Sequence, residues 1–193
     1  MVVNRELIFK DGRWQGLKTE NLDYYLDLIR NNFQFRKRGE VEKDPSWQQI
    51  IPYILFNFKD EYFLYRYLKK ASERRLKDDW LLGIGGHINP VDLKRDQDIL
   101  DAGAWREWQE EIVYNGNLLE KKLIGILNDD RREVEAVHLG LVYLFKGDSH
   151  DIFVREKDVL KGEMVKLQDL EKRLENIGGW AQIVYREYLS KFL

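Results

Sequence analysis

Three glutamates, Glu107, Glu110 and Glu111, crowd the segment "EWQEE", and a glycine-rich run, "GIGGH" at 83–87, lies upstream. On a helix, like charges three and four residues apart repel one another. A divalent cation would remove that repulsion, because hard cations such as Mg²⁺ or Mn²⁺ prefer carboxylate oxygens. A glycine turn supplies the complementary chemistry, since its bare backbone lets N–H groups approach a phosphate. A turn that handles phosphate, feeding a helix that holds metal, is what metal-assisted phosphoryl transfer to water requires.

The elements around these residues must position them. "DAGAWREWQEEIV" reads as a helix with Trp105, Trp108 and Ile112 on a core face and the glutamates on another. Gly103 sits one turn before Glu107, where a missing side chain would leave room for a ligand. Arg106 stands four residues before Glu110 and can pair with it. Upstream, "VVNRELIFKDGRWQGL" reads as a short hairpin turning at Asp11-Gly12, and "NLDYYLDLIRNNF" as a helix capped by Thr19 or Asn21. "FRKRGEVEKDPSWQQ" reads as a connector. "IIPYILFNF" and "YFLYRYL" flank Lys59-Asp60-Glu61 as a hairpin of apolar strands. "LLGIGG" is a strand end, and "KKLIGIL" and "AVHLGLVYLF" are strands separated by the charged loop "NDDRREVE". "LQDLEKRLENI" and "WAQIVYREYLSKFL" are closing helices, the first ended by Gly178-Gly179. Strands in the middle with helices around them predict one α/β domain over residues 1–193, a mixed sheet with helices packed on it.

The acidic helix and its glycine turn resemble the Nudix box. That motif runs glycine, five residues, glutamate, seven residues, then Arg-Glu-apolar-any-Glu-Glu-any-Gly-apolar. Gly86 matches the opening glycine, Asp92 stands where the first glutamate is expected, and "REWQEE" supplies Arg106, Glu107, Trp108, Glu110 and Glu111 in register. The chain is also similar to a Nudix-like group carrying "QQIIPY" and "GIGGH" segments. The resemblance implies an α/β/α sandwich with a mixed β-sheet over roughly residues 48 to 175, preceded by an N-terminal extension over 1–47. It implies Mg²⁺ or Mn²⁺ on Glu107, Glu110 and Glu111, and attack of water on a nucleoside diphosphate linked to another moiety. Three departures stand out. Thirteen residues separate Asp92 from Arg106, six more than in the motif, and must loop out before the helix. Aspartate replaces the first glutamate, as a possible fourth metal ligand or a helix-positioning acid. Val113 replaces the glycine after the glutamates, and Gly116 comes too late to substitute directly.

Other residues extend the candidate site. Glu107, Glu110 and Arg106 are joined as catalytic candidates by Glu135 and Glu163, acids outside the box available as general base. Gly85, Gly86 and His87 of the turn are candidates for substrate binding, with His138 in an apolar strand and Arg74 in "SERRLKDD". Each has a structural alternative: a turn or core histidine, a solvated acid, a solvated charged loop.

The whole chain sets limits on this reading. It has 193 residues, 44% hydrophobic and 34% charged, with net charge −2, so no bulk basic field draws it to nucleic acid. It has no cysteine, which removes disulfides and thiolate chemistry. The isopentenyl diphosphate isomerases, which share the fold the resemblance implies, are known for an active-site cysteine and are disfavoured for that reason. No run approaches the roughly 18 apolar residues of a membrane span, and the charged start resembles no signal peptide. The expectations are a cytoplasmic hydrolase of a small diphosphate substrate, with no nucleic acid or membrane partner and with homodimerisation open. The competing reading is a Nudix-fold module that binds a nucleotide or sugar nucleotide without turning it over.

Overall fold

Strand β3 (Trp47–Phe58) is the spine of the sheet. Its run of isoleucines, leucine and phenylalanine suits a pleated surface, and Ile50, Ile54, Leu55 and Phe56 are fully buried. Burial along nearly the whole strand means that both of its faces are covered. The computed structural model describes residues 1–68, 80–94, 96–174 and 179–193, with the side chain of 174 excluded. Among these, the strands form a nine-stranded mixed sheet and a separate two-stranded ribbon, and helices alternate with them along the chain. No helix among the described residues is long and apolar enough to cross a membrane.

Contacts divide the chain into two compact units. The first comprises Met1–Tyr53, Gly85–Glu107 and Ile124–Val142, and the second comprises Ile54–Ile84, Trp108–Leu123 and Tyr143–Leu193. Strands β8 (Leu118–Asn128) and β9 (His138–Gly147), like β3, contribute residues to both.

In the first unit, β1 (Val2–Asn4) pairs with β3, Val2 facing Gln49, while β2 (Gly16–Lys18) pairs with β8, Gly16 facing Asn128. The hairpin expected across this segment does not form. Asn4 caps a helical turn, α1 (Arg5–Ile8), by accepting from the Glu6 N–H at 2.9 Å. Two three-residue strands gain more by joining long buried strands than by pairing only with each other. Helix α2 (Leu22–Asn32) buries Tyr25, Leu28 and Ile29, an i, i+3, i+4 stripe. The expected connector holds a further helical turn, α3 (Arg38–Val41).

The "GIGG" strand end is split. β5 (Trp80–Leu81) pairs with β4 (Glu61–Tyr67), and β6 (Ile84–Gly85) pairs with β3. After a 3₁₀ turn at Pro90–Asp92, an exposed excursion leads to α4 (Ile99–Glu111). This helix begins two residues before the start that the sequence suggests. Asp98 causes that early start: one carboxylate oxygen accepts from the N–H groups of Leu100 and Asp101 at 3.0 and 3.1 Å. Its other oxygen accepts from Arg30 of α2 at 2.6 Å. Ile99 and Leu100 then enter the core.

In the second unit, the β3–β4 hairpin turns at Lys59 and Asp60, with Asn57 facing Tyr62. β11 (Leu160–Lys166) pairs with β4 along its whole length, and β7 (Ile112–Tyr114) pairs with β10 (Ile152–Val154). Trp108 is buried beside Phe145, Phe56 and Tyr114, at 5.3, 5.7 and 6.3 Å between ring centroids. These aromatic contacts fix the last turn of α4 by area burial and ring geometry. Helices α6 (Leu167–Leu174) and α7 (Trp180–Glu187) also lie in this unit, whereas α5 (Glu133–Ala136) belongs to the first.

The last residue of the excursion before α4 is therefore not spare. Asp98→Ala should lower the unfolding free energy by about 1 kcal/mol in urea titration. Lys94→Ala, on the exposed part, should change it by less than about 0.5 kcal/mol. Deleting 94–99 removes both the cap and buried Ile99, and should abolish a cooperative thermal transition.

Candidate functional site

Glu107 is only 7% exposed. On α4 it follows Leu100, Gly103 and Ala104 along the buried stripe, and Trp108 continues that stripe. Trp105, expected on the core face, is 38% exposed instead. The core side and the acidic side of this helix therefore overlap at Glu107. Its carboxylate lies under Gly86, where any Cβ would overlap it. A side chain at 86 would push that carboxylate aside, so glycine serves close approach here and no unusual backbone angle. The space at Gly103, expected to admit a ligand, is filled by Ile88, whose Cγ1 would lie 2.8 Å from an added Cβ.

Arg106 ties the turn to the helix. Its Nε donates to Asp92 Oδ1 at 2.7 Å, and its Nη2 to Asp92 Oδ2 at 2.9 Å. Nη2 also donates to the His87 carbonyl at 2.8 Å, and Nη1 to Glu107 Oε1 at 2.8 Å. Bidentate pairing of this kind fixes direction as well as charge. Asp92 raises the pKa of the guanidinium further, with Glu107 adding to the effect. Asp92 Oδ2 also accepts from the Asn89 N–H at 2.8 Å, closing the 3₁₀ turn with a capping box. Burial pushes the Asp92 carboxyl up, but Arg106 and the Asn89 N–H outweigh it and hold it below the ordinary value. Asp92 is only 2% exposed. This geometry supports the helix-positioning role expected for Asp92, since both of its oxygens accept from the Arg106 guanidinium.

Glu110 and Glu111 follow one turn later on α4, Glu110 exposed and Glu111 half-buried. As donors, the three glutamates suit a hard divalent cation. No three His, Asp or Glu side chains among the described residues converge as a ligand set, so fit rests on donor type and on rotation of the Glu110 and Glu111 side chains.

The structure brings His87 and His138 together, ring centroids 5.6 Å apart and edge to face. Burial, with Arg38 and His138 adding to it, pushes His87 down to about 4, so its ring is neutral at ordinary pH. His87 Nε2 is buried and makes no hydrogen bond among the described residues. His138 Nδ1 lies 2.5 Å from the Val134 carbonyl, which assigns it the donor proton. Burial lowers the His138 pKa too, with Glu42 and Glu135 opposing. Glu135 is thus near His138, and pairs with Arg132 at 3.5 Å. Glu163 lies on β11, within the second unit, paired with Arg173 at 2.9 Å. Gly85 packs against the Pro52 carbonyl. Arg74 lies outside the described residues, as do Arg75 and Gly178. Sequence reading missed Arg38, placed in a connector, and Arg155, discussed below.

No protein-family model matches the chain. Protein YmaB of Bacillus subtilis (strain 168) is 30% identical over 198 residues, which span 95% of this chain and 94% of that one. The crystal structure of Tm1382, assigned to the Nudix hydrolases, matches with a TM-score of 0.85 at 31% identity, covering 99% of this chain and 98% of that one. The chain belongs to the Nudix superfamily. The Nudix domain of Shewanella oneidensis NrtR, solved with ADP ribose, shares the fold at 12% identity, with a TM-score of 0.56 over 86% of this chain and 97% of that domain. In this Nudix chain the box glycine and the Arg-Glu pair meet in space despite the longer segment between them.

Linkage gives a test of the Asp92 clamp. A carboxyl with a depressed folded pKa stabilises the fold above its unfolded value and loses that contribution as pH falls through the folded value. Asp92→Asn should therefore be less stable than the parent at pH 7, by about 2 kcal/mol for bonds to a charged group. The gap should close below the ordinary carboxyl value of 3.8. Urea unfolding at pH 7, 5 and 3 measures it.

Proposed function

We propose that the chain is a divalent-metal-dependent hydrolase of a nucleoside diphosphate linked to another moiety. The observation that carries this reading is the carboxylate of Glu107, held by Arg106 beneath the bare backbone of Gly86. Such an arrangement keeps an acid beside the glycine turn, in a fixed direction and partly out of water. Glu107, Glu110 and Glu111 would hold Mg²⁺ or Mn²⁺. The ion, when bound, would neutralise phosphate charge and lower the pKa of a water molecule.

This chain's own residues do the rest. Gly85, exposed at the end of β6, offers its backbone to the diphosphate, while Gly86 makes room for the Glu107 carboxylate. Arg106 does not touch substrate in this scheme; it keeps Glu107 from swinging away. Glu135, near His138 and in the same compact unit as Glu107, is the favoured candidate to take a proton from water. Neutral His87 and His138 line the approach as hydrogen-bonding groups that add no charge.

A second reading is favoured by one observation: no three acids converge among the described residues. It is a binding module that holds a nucleotide or sugar nucleotide without hydrolysis. The two separate in one assay. Nucleoside triphosphates, dinucleoside polyphosphates, ADP-ribose and nucleotide sugars are incubated with Mg²⁺ and with Mn²⁺, and released phosphomonoester is measured alongside binding. Turnover of at least one compound, lost in Glu110→Gln/Glu111→Gln, is expected. That double variant should bind Mn²⁺ at least tenfold more weakly, about 1.4 kcal/mol by calorimetry. Binding without turnover under both metals would leave only the module reading.

A further inference from the structure

The last turn of α4 ends in an unusual way for its sequence. A helix leaves its final four carbonyls without intrahelical partners. Many helices satisfy them by placing a glycine in the left-handed region just past the end. The box motif puts a glycine there, but this chain has Val113, and no residue from 112 to 117 has a positive φ. The backbone passes straight from Glu111 into strand β7.

Arg155 takes the place of that cap. Its Nε donates to the Gln109 carbonyl at 3.0 Å, and its Nη2 to the Ile112 carbonyl at 3.1 Å. Its backbone N–H donates to the Glu111 carbonyl at 2.7 Å. The β7–β10 ladder explains how it arrives: Val154 faces Ile112, so the next residue along β10 falls beside the helix end. The guanidinium also sets a positive charge at the negative end of the helix dipole. The carbonyls it holds bracket Glu110 and Glu111.

We propose that Arg155 is a positioning residue for the acidic turn. By clamping the carbonyls of Gln109, Glu111 and Ile112, it fixes the backbone from which Glu110 and Glu111 project their carboxylates toward a divalent cation. This rests on the metal-binding reading above, and the test keeps the two apart. Backbone amide exchange is followed by NMR in metal-free parent, Arg155→Ala and Arg155→Lys. Mn²⁺ affinity is read in each from the electron paramagnetic resonance signal of free aquo-Mn²⁺. Asp148→Ala serves as a control, because it breaks bonds to Asn117 and Tyr114 in the same unit without touching the helix end.

Arg155→Ala should speed exchange at 110–113 at least tenfold, leave 100–105 unchanged, and weaken Mn²⁺ binding at least tenfold. Arg155→Lys, which keeps the charge and the backbone N–H but cannot span two carbonyls, should fall between parent and alanine. It also decides the matter if the alanine variant fails to fold. Asp148→Ala should lose stability and keep its Mn²⁺ affinity. Unchanged exchange at 110–113 in both Arg155 variants would overturn the proposal whatever the metal data. So would faster exchange with Mn²⁺ affinity equal to that of the parent. A parent that binds no Mn²⁺ would refute the metal reading, and with it the cation role assigned to Arg155; exchange would then report only the helix cap.

Discussion

The Arg106 guanidinium carries the constraint on which the site depends. It satisfies a carboxylate from the turn, a backbone carbonyl from the same turn and a carboxylate on its own helix. A planar donor fork can meet these three demands together, whereas a lysine ammonium lacks the matching geometry. The consequence is mechanical. The turn after β6 and the helix α4 come from segments joined by an exposed excursion, yet their functional groups share one rigid hub. Because Glu107 is buried, it needs such a partner: an ionised acid without one would be strongly penalised.

The helix that carries the acids is held at both ends by arginines from outside it. Arg30 braces the N-cap aspartate, and Arg155 closes the final carbonyls. Between them, α4 buries Leu100, Ala104 and Trp108, so its rotation is set by packing. Helix propensity alone would not hold a thirteen-residue segment with acids at spacing i, i+3 and i+4. Tertiary anchoring supplies what local chemistry withholds. This is the physical reason that an acidic cluster can persist here without having been selected as a stable isolated helix.

Local pattern made some of this legible in the sequence. Apolar runs around Lys59-Asp60 gave the β3–β4 hairpin, and the long runs at β8 and β9 were visible as strands. The glycine turn and the acidic helix stood out because their residue types conflict with ordinary local preference. Partner choice was not legible. β1 and β2 look like a hairpin because they are close in sequence, but each pairs with a distant strand, and nothing in three residues specifies that. β11 was hidden by its polar residues, which suit a strand at the end of the sheet order. The sequence pattern puts Glu107 on a face apart from the core face, since a hydropathy pattern cannot anticipate an acid buried beside an arginine. Arg155 lies 46 residues from Gln109, and the trace it left was indirect: valine where a glycine would end the helix.

The thirteen residues between Asp92 and Arg106 show why spacing in sequence is a weak guide to spacing in a site. Residues 93, 94 and 96–98 lie outside the helix, and 99–105 are already helical when Arg106 is reached. The helical part advances by a fixed rise and rotation, so it sets where Arg106 points. The non-helical part can grow at small entropic cost, provided that its last residue still caps the helix. Asp98 does so, and Asp92 and Arg106 meet at 2.7 Å. Aspartate in place of glutamate is compatible with this contact because the capping box at Asn89 draws residue 92 inward, letting the shorter arm reach the guanidinium. What must be preserved is the approach of two carboxylates and one carbonyl around Arg106; the chain length between them is free to vary so long as both ends of α4 remain fastened.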